Sequence, residues 1–133
     1  MRKKDRTTGE HFKIFQEEAW YWIQRFGLKG WRFHFEHGDQ SEEGYAGYNY
    51  NVAGRVAVIN LSKDWKDNEV IEAQLRRSAF HEVIHILLAR LRWLAVERAV
   101  GIGDVDEEIE TIIRTLENAV WEPEQERKCH RQG

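Results

Sequence analysis

The stretch SAFHEVIHILLARL, residues 78–91, sets His81 and His85 four positions apart, with Glu82 directly after the first histidine. On an α-helix, residues four apart stand one turn from each other, with Cβ atoms about 5–6 Å apart. Both imidazoles can then aim at one point. Zinc accepts imidazole nitrogen at about 2.0–2.1 Å, so the two rings can share a single Zn2+ ion. Glu82, rotated about 100° from His81, can reach a water on that ion without being a ligand itself. Zinc lowers the pKa of such a water to about 7, and Glu82 would act as the general base that takes its proton. The chemistry this points to is hydrolysis.

The surroundings sharpen the reading. Val83, Ile84, Ile86 and Leu87 are apolar and no proline interrupts them, which predicts a buried helical turn. Polar groups in such a place cost free energy unless they find partners. A histidine pair held by backbone groups is the plainer alternative. A metal accounts better for all three residues at this spacing.

Elements must position that turn. Phe12, Phe15, Ala19, Trp22, Ile23 and Phe26 recur at three- and four-residue spacing, predicting an amphipathic helix from Glu10 to Phe26, stopped by Gly27 and Gly30. Trp31, Phe33 and Phe35 alternate with polar residues, the pattern of a half-buried strand. After the turn-rich HGDQSEEG, two strands are expected, roughly Tyr45–Asn51 and Arg55–Leu61, joined through Val52, Ala53 and Gly54. Asp67 or Asn68 is the expected N-cap of a long helix from about Glu69 to Val100. GIGDVD breaks it. A last helix from about Val105 to Trp121 would bury Ile109, Ile112, Ile113, Leu116 and Val120, with Pro123 ending it and residues 123–133 forming a polar, frayed tail. The expected class is α+β, in one domain spanning 1–133.

Composition excludes some functions. The 133 residues carry a formal charge of −3, so no basic surplus points to nucleic acid. One cysteine, Cys129, allows no internal disulfide and suits a reducing cytoplasm. The basic start is not followed by a signal-peptide core, and the apolar run 83–89, broken by His85, is too short to span a bilayer. A soluble, cytoplasmic protein with no membrane partner is expected.

HEVIH resembles the HExxH of zincin metallopeptidases, and SAFHEVIHIL fits their extended pattern except at Ser78, where Val or Thr is usual. The order of elements is similar to a minimal zincin: an N-terminal helix, a small three-stranded, mostly antiparallel sheet, the motif helix and a C-terminal ligand helix. The compact length is similar to minigluzincins and to small metallopeptidases of bacteriophage genomes. This resemblance implies a third zinc ligand. Metzincins would need glycine at 88 and histidine at 91, where Leu88 and Leu91 stand, and SprT-like proteases use a later histidine, here only His130. Gluzincins use a glutamate on a later helix, for which Glu107, Glu108, Glu110 and Glu117 are available. With Ile109, Ile113, Leu116 and Val120 taken as the centre of the buried face, helical phase puts Glu110 and Glu117 on its near border and Glu107 and Glu108 further out. Glu110 ranks first because it lies in the first turns, close to the GIGDVD reversal.

The implied function is a zinc-dependent peptidase acting on a peptide or protein substrate, with Glu82 as general base and one zinc on His81, His85 and Glu110. The alternative is a catalytically silent, zinc-stabilised binding or regulatory protein of phage or prophage origin, against which the retained Glu82 argues. DNA-linked proteolysis finds no support in the charge. For the tetrahedral intermediate, Tyr45, Tyr48, Tyr50, Arg55 and His130 are possible donors, and nothing in the sequence selects one. The resemblance also implies a substrate strand added to a sheet edge beside the motif helix. Val56–Leu61 is nearest in sequence, although its apolar run equally suits a buried central strand.

Overall fold

A computed structural model describes residues 3–38, 44–66, 68–97 and 101–132, without the side chains at 3 and 130–132. Helix α1 spans Gly9–Arg25. Thr8 caps it reciprocally: its hydroxyl accepts from the His11 N–H at 3.2 Å, and His11 Nδ1 accepts from the Thr8 N–H at 3.0 Å. At the other end Gly27 takes φ +66°, where a side chain would be strained. Its N–H bonds to Gln24 O and the Leu28 N–H to Ile23 O, closing the helix as expected for a glycine just past the cap.

Strands β1 (Arg32–His37), β2 (Ala46–Asn51) and β3 (Val56–Leu61) form one sheet in the order β1-β3-β2. The sheet is mixed rather than mostly antiparallel: β2 and β3 pair antiparallel across a tight hairpin, whereas β1 pairs parallel with β3. In the hairpin, Asn51 Oδ1 accepts from the Gly54 N–H at 2.8 Å. β3 is therefore the central strand, which its almost unbroken burial reflects. The edge-strand reading of VAVINL is corrected by this order.

Register puts Phe33, Phe35 and His37 of β1, Ala57, Ile59 and Leu61 of β3, and Ala46, Tyr48 and Tyr50 of β2 on one face. That face meets the helices. Trp20 of α1 sits edge-on to Phe33, and Phe12 stacks on His37. Helix α2, Glu72–Leu87, lies across α1 and against β2. Its Leu75, Ala79, Val83 and Leu87, each four residues from the last, join Phe15, Ala19, Ile23, Ile59 and Leu61 in the core. On the α1–α2 seam, Glu18 accepts from Trp22 Nε1 at 2.7 Å and from Arg76 Nη1 at 2.9 Å.

The second half departs from expectation. Asn68 is not an N-cap: α2 begins after Ile71, which makes no side-chain cap, and Asp67 lies outside the described residues. The long helix is two, α2 and α3 (Ala89–Val96), divided at Leu88. Hydrogen bonds from Leu88 N–H to Ile84 O and from Arg92 N–H to Leu88 O bridge the division, and no glycine or proline marks it. Helix α4 runs Ile102–Leu116, followed by a π-helical turn, Glu117–Trp121, and α5, Glu122–Gln132.

Pro123 thus enters a helix instead of ending one, and residues 123–132 are helical rather than frayed. Proline is tolerated in the first helical turn, but it has no N–H to offer the Ala119 carbonyl four residues back. Arg25 Nε donates to that carbonyl at 3.0 Å and ties the end of α1 to the π turn.

The expected burial of the last helix also fails. Only Ile112 is buried on α4, while Ile109, Ile113, Leu116 and Val120 are 40, 43, 39 and 55% exposed. α4 packs on α3, and no described element covers its other apolar side.

Candidate metal centre

Helix α2 carries two adjoining stripes. One is the core stripe just described. Beside it Ser78 and Glu82 are buried, and beyond them His81 and His85 reach the surface opposite β2. The burial of this turn therefore comes from Ala79 and Val83, which anchor the helix so that the polar stripe is held in place.

The two Nε2 atoms stand 3.3 Å apart, with the rings crossed at 68°. Two ligands about 2.0–2.1 Å from a tetrahedral ion stand roughly 3.3–3.4 Å from each other. The pair thus has the spacing of two imidazoles on one zinc. Each of His81, Glu82 and His85 offers a ligand atom within 4.8 Å of the others, the one such group among the described residues.

Tyr48 of β2 stacks flat on His85, ring centroids 4.2 Å apart and planes 15° off parallel. This contact fixes the plane of the imidazole. Burial, then the neighbouring His81, lower the His85 pKa, which keeps the ring in the neutral form a metal needs.

Glu82 is 5% exposed, and its Oε2 has no hydrogen-bond partner among the described residues. Burial pushes its carboxyl up to about 7. A buried carboxyl oxygen without a partner is costly in an ordinary core. Beside a divalent ion and its water it would have both a charge and a donor to answer it. The residues present fit zinc.

Two cavities flank the group. One, of about 350 Å³, is lined by Gly44, Tyr45, Gln74, Arg77, Ser78 and the His81–Glu82 pair. The other, of about 360 Å³, lies beyond His85 and is lined chiefly by Tyr48, Tyr50, Leu88, Leu91 and Ala95. Arg77, Ser78 and Gln74 were not read as site residues from the sequence, although they stand four, three and seven residues before His81 and so share its side of the helix. Of the suggested oxyanion donors, Tyr45 lines the first cavity, and Tyr48 and Tyr50 line the second. Arg55 lies instead against Gly30, in a separate cavity of about 380 Å³. The side chain of His130 lies outside the described residues.

Glu110 does not join the histidines. It is exposed on α4, outside the His81–Glu82–His85 group. Helical phase favoured it only with the apolar side of Ile109, Ile113 and Leu116 buried, and among the described residues that side is open. Glu108 is committed to Arg90, 3.2 Å away, and with Glu107 lines the cavity that holds Arg55. Glu117 is exposed at the start of the π turn.

Among the described residues, β2 is the edge strand near the group and no other strand pairs with its outer side. The Ser62 N–H bonds to Tyr45 O at 2.9 Å, which marks that pair as hydrogen-bonded. By antiparallel alternation, the amides and carbonyls of Ala46, Tyr48 and Tyr50 then project away from β3. Tyr50 agrees: its N–H is taken by Asn49 Oδ1 at 2.9 Å rather than by the ladder.

No helix among the described residues is long and apolar enough to cross a membrane. Comparison with protein families, curated proteins and solved structures found no match for this chain.

Proposed function

We propose that this chain is a zinc-dependent peptidase of minimal zincin type, with His81 and His85 holding the ion and Glu82 as general base. The observation that carries the reading is the 3.3 Å Nε2 separation beside a buried carboxyl whose Oε2 has no hydrogen-bond partner among the described residues. Zinc, when bound, supplies Lewis acidity for a water and for the scissile carbonyl. Glu82 does the proton work: it takes a proton from water and delivers it to the departing amine. Its elevated pKa, about 7, keeps both protonation states accessible near neutral pH. Tyr48 holds His85 in plane, and the free β2 edge offers main-chain partners to an extended peptide.

The test is hydrolysis of a mixed peptide library by the metal-loaded protein. Glu82→Gln should keep zinc and lose cleavage. Cleavage that survives both chelation and Glu82→Gln would remove the proposal.

A second reading has one observation in its favour. The absence of an α4 carboxylate from the group, among the described residues, suits a site in which Glu82 is itself a ligand and the metal only stabilises a binding protein. Glu82→Gln would then cost zinc affinity, not just turnover.

A further inference from the structure

The two cavities beside the histidines differ in chemistry, and the difference bears on what the proposed peptidase cuts. The first holds Arg77, which forms no ion pair with a described residue, together with the side chains of Gln74 and Ser78. Gln74 Nε2 donates to Ser78 Oγ at 3.1 Å, and the guanidinium is left without a charge partner among the described residues. The second cavity is walled by the rings of Tyr48 and Tyr50 and by Leu88, Leu91 and Ala95, with one charged residue, Arg92, on it. Its wall is almost wholly carbon.

β2 connects them. Ala46 lines the first cavity and Tyr48 the second, one two-residue step along the same strand. A peptide paired to the free edge advances at the same rate, and its residues two apart project to the same side, about 6.5–7 Å from each other. Two such side chains enter the two cavities on either side of the His81–Glu82–His85 group. The cleaved bond then falls between them.

Resting on the peptidase reading, we propose that the substrate is an extended peptide with a carboxylate seated at Arg77 and an apolar side chain in the Tyr48–Leu91 cavity, two positions apart across the cleaved bond. The carboxylate comes from an aspartate or glutamate side chain or from the peptide's own C-terminus. The recognition is the same in both cases.

The experiment uses the zinc-loaded full chain and a peptide library varied at both positions, each member with a free and with an amidated C-terminus. Wild type should favour acidic over basic residues at one position by about fivefold, the worth of an exposed ion pair of about 1 kcal/mol. At the other it should favour leucine or phenylalanine over alanine by about tenfold or more. Arg77→Glu should reverse the first preference alone. Ala95→Phe, which fills the second cavity, should erase the second preference alone. Both side chains are exposed, so both variants should fold and keep zinc. Amidation that removes the Arg77-dependent preference identifies the C-terminus as the carboxylate, and indifference to amidation identifies a side chain. Zinc-dependent cleavage with preferences that neither variant alters would overturn this inference and leave the peptidase reading standing. No cleavage of any library member would overturn both.

Discussion

Replacing Glu82 by Gln makes a pH-dependent prediction about stability that needs no substrate. The carboxyl is 5% exposed and is raised by burial from an ordinary 4.5 to about 7. At about 1.4 kcal/mol per pH unit, ionising it in the folded, metal-free protein is harder than in the unfolded chain by about 3 kcal/mol. Between those two pKa values the folded state keeps a proton that the unfolded chain has released. Stability is therefore fully present below pH 4.5 and falls as pH rises through about 7. Glutamine cannot ionise, so the variant does not share this fall. Urea unfolding followed by circular dichroism, with chelator present, should show Glu82→Gln gaining on wild type by roughly 2–3 kcal/mol between pH 4.5 and 8.5. Any fixed cost of burying the amide cancels in that difference. Added zinc should shrink the gap, since a nearby dication favours the ionised carboxyl. A difference between the two proteins that does not vary with pH would refute the claim that burial raises the Glu82 carboxyl.

Other expectations are as direct. Val58→Pro removes a ladder amide from the central strand and should leave the protein unfolded by circular dichroism, whereas Ala46→Pro, at the start of the edge strand, should fold and keep zinc but lose peptide cleavage. Arg25→Ala removes the side-chain donor to the Ala119 carbonyl and should cost about 1–2 kcal/mol in urea unfolding. Adding Pro123→Ala, which restores a backbone donor, should recover part of that loss; no recovery would contradict the role given to Arg25. Glu110→Ala should leave zinc affinity within about threefold in a competition titration, because an exposed carboxylate outside the group holds nothing to lose.

The elements that build the site are the ones whose signals are local. HEVIH at one-turn spacing, Gly27 after a run of α1 core residues, and the alternation of Trp31, Phe33 and Phe35 each state a conformation within a few residues. The polar side of α2 is equally legible in Gln74, Arg77 and Ser78, seven, four and three residues before His81. What failed depended on the rest of the molecule. VAVINL suits an edge or a centre equally well, and only the parallel pairing with β1 makes it central. Ile109, Ile113 and Leu116 record a preference for burial, but periodicity cannot say whether anything covers them, and Glu110 was ranked on the assumption that something does. Pro123 reads as a stop unless a side chain 98 positions earlier takes up the freed carbonyl.

The central claim is that His81 and His85 hold one metal ion between them. Zinc content of the purified chain, set beside that of the His81→Ala/His85→Ala double variant after equal exposure to zinc and removal of the excess, tests it most directly. One zinc per chain in wild type and none in the double variant is the predicted result; equal zinc in both proteins would contradict it.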